Sequence, residues 1–233
     1  MLRLLDLFCG RFGWSRAFAA RGWECFGVDL VDPPDMPKGF HTFLNADILD
    51  FHSVNEFCDY IARPRGFDFI VASSPCEQFS VHGMKHFHPN PPYPELGIKL
   101  FNHTRELCEA AGVPYVMENV RAAQQFVGNA VHHCGPFYLW GNAVPPLLSK
   151  GIIKGTRITP GNTVQKMLDA GDKESVREIR RKQQRDFSAR AGGVSKAPAL
   201  SATIPPELAN CVADYAERLL EQKRESQACK HPA

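Results

Sequence analysis

From residue 2 to residue 120 the chain alternates short apolar runs with stretches of helical spacing, and the apolar runs close on polar or acidic residues. Parallel strands need long crossover connections and helices supply them, so this alternation predicts an α/β fold: a mostly parallel sheet with helices on both faces. Residues 2–8 (LRLLDLF) read as the first strand, followed by the turn CGRFG and an amphipathic helix over 14–21. ECFGVDL is a second strand that ends on Asp29. A proline-rich loop, 32–38, leads to a third short strand, HTFLNADI, ending near Asp47, and a helix over 54–62 feeds a fourth, 67–72, bounded by Gly66 and Pro75. Residues 81–94 are too proline-rich for regular structure. Helical spacing returns over 95–112 with a terminal glycine suited to a C-cap, and VPYVMENV is a fifth strand ending at Glu118.

Beyond residue 130 the pattern breaks. HHCGPFYLWG, 132–141, reads as a strand, and 142–162 has no clear period. Residues 172–190 read as a helix with Asp172 as N-cap, Glu174 in its first turn and a basic set that includes Arg177, Arg180, Arg181, Lys182 and Arg185. Residues 191–198 are a flexible connector. A last helix starts near Pro205 or Pro206 with Leu208, Val212, Tyr215 and Leu219 on one side, and the tail is expected to fray from Arg224.

A chain of 233 residues can bury one large core, and its 44% apolar and 22% charged content is that of an ordinary globular protein. No apolar stretch approaches the ~18 residues of a membrane span. The start, MLRLLDLFCG, lacks signal-peptide architecture, and a cytoplasmic monomer away from membranes is expected. Eight cysteines without CxxC spacing argue for reduced thiols. A net charge of +2 is too small to announce a nucleic-acid partner, so such contacts must come from local clusters, with Arg180 and Arg181 the foremost phosphate candidates.

Chemistry-bearing residues gather at strand ends. Cys76 follows the fourth strand, at the sheet edge where open α/β folds bind ligands, and Pro75 holds it on a stiff turn. A free cysteine is most often a small buried hydrophobe, so its company decides. That company is Asp29, Asp47 and Glu118, each closing a neighbouring strand. Asp29 stands about 20 residues past the glycine turn, where βαβ nucleotide sites place an acid for ribose hydroxyls. The turn has Phe12 in place of a phosphate-binding glycine and lacks a Walker lysine. A cofactor with ribose and adenine but no phosphate is indicated, and S-adenosyl-L-methionine, with its cationic sulfonium, suits the acids. His82, His86, His88, His132, His133 and Cys134 lack zinc-ligand spacing, and no metal is assigned.

At this point the residues resemble the DNA (cytosine-5) methyltransferases, in the form of a small bacterial or phage-type member. DLFCG at 6–10 with Gly13 is similar to their DLFxGxGG, SPCEQFS at 74–80 to PPCQxFS, and MENV at 117–120 to ENV. Weaker similarity runs through Asp29, Asp47 and CGPFYLWG at 134–141, and ATIPPELANCVADYA at 202–216 resembles the closing motif. The resemblance implies a Rossmann-like methyltransferase sheet built from 1–141 and 199–223, with a small target-recognition module inserted over 142–198 and a disordered tail, 224–233. It implies that Cys76 attacks carbon 6 of a cytosine flipped out of double-stranded DNA while Glu118 holds nitrogen 3. Phe8, Gly10, Gly13, Asp29, Leu30, Asp47, Ile48 and Pro75 would line the cofactor pocket, Thr203 would sit by its methionine end, Ser80 would contact nucleic acid, and the loop 81–94 would close over DNA. The chain departs from the family at Phe12, at Ser74, at Glu77 where glutamine is usual, at Ala202, and in lacking an arginine-rich motif after Gly141. Three alternatives stay open: the same chemistry on RNA, a nucleic-acid-binding relative that has lost turnover, and a metal site among the histidines and Cys134 named above.

Overall fold

The structure is a computed structural model that describes residues 1–33, 40–60, 66–76, 79, 94–146 and 204–230. The expected helix 172–190, the connector 191–198, all of the loop 81–94 but Pro94, and the residues Glu77, Ser80, Arg180, Arg181 and Thr203 lie outside the described residues.

The strands are β1 (Arg3–Leu7), β2 (Glu24–Asp29), β3 (Phe40–Asn45), β4 (Phe69–Ser73), β5 (Tyr115–Val120), β6 (His132–Cys134) and β7 (Phe137–Trp140). They form one seven-stranded sheet in the order β3-β2-β1-β4-β5-β7-β6. The first five are parallel, and β7 and β6 are antiparallel. The α/β sheet read from the sequence is therefore present, with one correction. Residues 132–141 form a hairpin and not a single strand, because Gly135 and Pro136 make a turn in the middle of the run.

Side chains alternate between the two faces of each strand, so a strand buried on both sides reads as a continuous apolar run. Leu4, Cys25, Phe69, Val71 and Val116 point to one face, covered by α1 (Ser15–Ala19) and α5 (Pro206–Lys230) through Phe18, Leu208 and Val212. Leu5, Phe26, Ile70, Ala72 and Met117 point to the other, covered by α2 (Val54–Tyr60) and α3 (Glu95–Ala111) through Phe57, Phe101 and Leu107. α3 ends where expected, with Gly112 as its left-handed cap at φ 67°. α4 (Gln124–Val127) follows β5. Arg21 ties α5 down by bonds to Asn210 and Asp214 at 2.6 Å each, and the Trp23 indole adds one to Glu217 at 3.0 Å. α5 runs past Arg224, where fraying was expected, to Lys230. Its last turns are built from strong helix formers with no glycine or proline among them.

Neighbouring strands β1 and β4 part company at their carboxyl ends. β1 continues through α1 on one face, and β4 leads towards α3 on the other. Such a switch point opens a crevice between the two connections. The glycine turn forms one lip and the Cys76 turn the other.

Candidate active site

The parallel pairing brings the carboxyl ends of β3, β2, β1, β4 and β5 to one edge. Asp29 closes β2. Asp47 lies two residues beyond β3, where its carboxylate caps a short 3-10 helix, Ile48–Asp50, by accepting from the Leu49 N–H at 2.9 Å. Glu118 is in register with Ser73, and so sits within β5 two residues before its end; the sequence reading ended the strand at Glu118. Cys76 follows β4 by three residues in a turn closed by the Phe79 N–H on the Cys76 carbonyl at 3.1 Å.

The glycine turn is held by acids. Asp29 accepts from the Gly10 N–H at 2.9 Å with one oxygen and from the Val31 N–H at 3.2 Å with the other. Leu30 and Val31 beside it are exposed apolar side chains. Phe8 and Phe12 both take left-handed backbone, at φ 59° and 61°, a conformation that costs a side chain about 1–2 kcal/mol over glycine. Phe12 thus holds a backbone that a glycine would adopt more readily, and its ring is fully buried. Gly13 is also a close packing point. A Cβ there would come within 3.0 Å of the Ile204 side chain and 3.1 Å of its backbone nitrogen, so Gly13 lets residue 204, next to Thr203, press against the turn.

Below the turn lies Asp6, which sequence reasoning missed. One of its oxygens accepts from the Ser15 hydroxyl and backbone N–H at the start of α1; the other is buried with no partner among the described residues. Burial first, offset in part by Ser15 and reinforced by Asp29, raises its pKa to about 7.

Two clamps set the Cys76 turn against Glu118, one on each face of the sheet. On the α2/α3 face, fully buried Asn119 donates through Nδ2 to the Ser74 carbonyl and hydroxyl, both at 3.0 Å, and accepts the Val120 N–H at 2.8 Å. Ser74 stands where the family has proline, and its hydroxyl adds an acceptor that proline lacks. On the α1/α5 face, the Trp14 indole N–H donates to the Ser73 hydroxyl at 2.9 Å. Ser73 is in turn a hydrogen-bond partner of Glu118. The glutamate is buried, and burial raises its pKa to about 8 against the opposing effect of that hydroxyl. A carboxyl in this state carries a proton at neutral pH and can donate it.

Cys76 is half-buried at this edge. The thiols of the other described cysteines, Cys9, Cys25, Cys58, Cys108, Cys134 and Cys211, are all pushed up, burial being the main cause, and are poor nucleophiles. Of the residues expected to line the cofactor pocket, Phe8, Gly10, Asp29, Leu30, Asp47, Ile48 and Pro75 belong to this edge or the turns that leave it, and Ile48 is buried in the core below. Ser73, Trp14 and Asn119 carry the geometry, yet only Asn119 belonged to a recognisable sequence signal, the ENV triplet. Among the described residues no group of three histidine, cysteine or acidic side chains is placed to hold a metal, and no helix is long and apolar enough to cross a membrane.

The sequence profile of C-5 cytosine-specific DNA methylases matches residues 2–132. Over 80 residues the chain is 36% identical to a probable DNA (cytosine-5)-methyltransferase of frog virus 3 (isolate Goorha), a match that takes in 34% of this chain and 31% of that protein. Among solved structures it is similar to a proposed DNA modification methyltransferase encoded within an E. coli prophage, with TM-score 0.42 and 19% identity over 54% of this chain and 34% of that one. The chain thus spans about a third of the length of each relative.

Proposed function

We propose, because this chain belongs to the family of C-5 cytosine-specific DNA methylases, that it methylates carbon 5 of cytosine in DNA through a covalent adduct between Cys76 and carbon 6 of a base swung out of the duplex. The observation that carries the reading is the register of β4 and β5. It sets a half-buried cysteine turn beside a buried, protonated glutamate, at the switch point that also holds the glycine turn.

Carbon 5 of cytosine is a poor nucleophile until a group adds across the ring. The Cys76 sulfur forms a bond to carbon 6, and the ring electrons move towards nitrogen 3, where the Glu118 carboxyl donates its proton. The resulting enamine attacks an electrophilic methyl group through carbon 5. Loss of the carbon 5 proton to a water molecule then expels the thiolate, and nitrogen 3 returns its proton to Glu118 as the aromatic ring is restored. Attack comes from above the ring plane, which a stacked base cannot offer, so the cytosine leaves the helix.

S-adenosylmethionine, when bound, supplies the methyl group. The residues at the edge fit it. Asp29 keeps a free lone pair on each oxygen after its two backbone bonds, suited to ribose hydroxyls, and Asp47 adds a second acid just beyond the next strand. Exposed Leu30 and Val31 offer apolar surface to an adenine ring.

The test is trapping. The protein is incubated with labelled S-adenosylmethionine and DNA containing 5-fluorocytosine, beside an RNA of the same sequence and the Cys76→Ala variant. Fluorine cannot leave as a proton does, so a labelled, denaturation-resistant adduct on DNA that disappears in Cys76→Ala is expected. An adduct on RNA alone would change the substrate, and none on either nucleic acid would overturn the reaction.

A further inference from the structure

We propose that Ser73 is the positioning residue for Glu118, and that Trp14 aims the Ser73 hydroxyl at that carboxyl group. The inference deepens the methyl-transfer reading and rests on it for its catalytic meaning. It starts from an inventory of donors. A tryptophan indole N–H can only donate, and a serine hydroxyl owns one proton and two lone pairs. Trp14 donates to Ser73 Oγ at 2.9 Å, which fills one lone pair and leaves the hydroxyl proton to be given elsewhere. Glu118 is the acceptor within reach, across the Ser73↔Glu118 pairing of β4 and β5.

The alternation of the strands makes the arrangement specific. Phe69 and Val71 on β4 and Val116 on β5 face α1, so Ser73 and Glu118, at even spacing from them, face the same way. Trp14 immediately precedes α1 and is itself buried. The opposite neighbour of Glu118 is Leu139 on β7, an apolar residue. Among the described residues no charged side chain acts on Glu118; burial and the Ser73 hydroxyl are the causes at work. With so few partners, one hydroxyl sets both the direction of the carboxyl group and the balance of its two protonation states.

The chain of contacts also has a direction. Trp14 directly follows Gly13 of the glycine turn, and Ser73 lies three residues before Cys76. The relay therefore joins the proposed cofactor lip to the proposed proton donor along one short path.

The experiment reads Glu118 directly. The carboxylic C=O band of the full chain is followed by infrared titration without substrate and assigned by its absence in Glu118→Gln. A hydroxyl donating to the carboxylate favours the charged form, so Ser73→Ala is expected to move the midpoint upward by about one pH unit. Ser73→Thr, which restores the hydroxyl, should return it to the wild-type midpoint. Trp14→Phe leaves β4 intact and frees the hydroxyl to accept from the protonated acid, which moves the midpoint the same way by a smaller amount. If Ser73→Ala does not fold, the Trp14→Phe titration decides. An unmoved midpoint in the variant that is read, or one that moves down, overturns the proposal.

A second readout separates it from the reading it rests on. With 5-fluorocytosine DNA, the alkaline limb of adduct formation should shift upward with the midpoint in the same variants. A wild-type protein that forms no adduct at any pH overturns the methyl-transfer reading and with it the catalytic meaning of Ser73. Adduct formation with an alkaline limb that stays fixed while the midpoint moves overturns the positioning role alone.

Discussion

Asn119→Ala should damage adduct formation more than stability, because the side chain it removes pins the turn that carries Cys76. Asn119 is fully buried and makes three bonds: two from Nδ2 to Ser74, at 3.0 Å each, and one accepted from the Val120 N–H at 2.8 Å. Truncation leaves the Ser74 carbonyl, the Ser74 hydroxyl and the Val120 N–H without this partner in a site that excludes water. Each buried polar group stranded this way costs about 1–3 kcal/mol, and some find new partners as the loop relaxes, so a net loss of about 3 kcal/mol is expected. Against a total of about 5–15 kcal/mol the protein stays folded. The relaxation itself is the functional injury. Ser74 is two residues from Cys76, and a reacting atom misplaced by about 1 Å loses on the order of 100-fold in rate. Urea unfolding measures the first quantity and the rate of 5-fluorocytosine adduct formation by the folded protein measures the second. Asn119→Asp keeps the volume but removes the donor and should reproduce the rate loss. A wild-type adduct rate in both variants, with the stability loss present, would refute the claim that this clamp positions the nucleophile.

Three further outcomes follow from the same coordinates. Gly141 sits at φ 124° with the Tyr115 carbonyl oxygen 2.3 Å from where a Cβ would stand, and that oxygen also accepts from the Ala143 N–H, so Gly141→Ala should cost about 3–5 kcal/mol in urea unfolding. At the amino edge of the sheet, buried Arg3 pairs with Glu24 at 3.3 Å, donates to the Gly66 carbonyl at 3.0 Å and lies over Phe26 and Phe67; Glu24→Leu should cost about 3–5 kcal/mol and the double variant with Arg3→Met should recover most of it, leaving adduct formation by the folded protein unchanged. Glu118, raised from 4.5 to about 8, and Asp6, raised from 3.8 to about 7, hold protons in the folded chain that the unfolded chain has released, so they lower stability as pH rises through these windows and their penalty is complete above about pH 8. Glu118→Gln should flatten that decline in denaturation midpoints measured from pH 5 to pH 8.

The fold was legible because its strands are buried on both faces. Leu5, Phe26, Ile70 and Met117 on one side and Leu4, Cys25, Phe69 and Val116 on the other make each strand a continuous apolar run, and helical spacing between the runs forced parallel pairing. Strand order was not legible, since no local signal says that β1 lies between β2 and β4. Cys76 and Glu118, the proposed nucleophile and proton donor, could be singled out because each sits in a short run of unusual residues. The residues that arrange them could not. Trp14 and Ser73 are 59 positions apart and meet only through the register of β4 and the packing of α1. The packing of Gly13 against Ile204, 191 positions away by subtraction of their numbers, has no local signal either. The hairpin over 132–141 was read as one strand because a two-residue turn interrupts an apolar run without changing its composition.

The departures from the family pattern take on a consistent sense around Glu118. An arginine beside this glutamate would favour its charged form, and a charged carboxylate accepts hydrogen bonds but has no proton to give to nitrogen 3. The family's arginine-rich motif is absent after Gly141, and among the described residues nothing cationic acts on Glu118. Among the described residues, what acts there is burial, which protonates it, and one serine hydroxyl, which orients it. In the proposed reaction the acid therefore arrives loaded, and the work left to its neighbours is geometric: Ser73 from the α1 face and the Asn119 clamp from the other. The same edge holds Asp6, its pKa raised by burial to about 7, beneath the glycine turn. Among the described residues the ion pair built into the sheet lies at the opposite edge, where Arg3, Glu24 and Asp68 tie the amino ends of β1, β2 and β4 together. The sheet thus sets this ion pair at one edge and its two buried acids of raised pKa, Asp6 and Glu118, near the other.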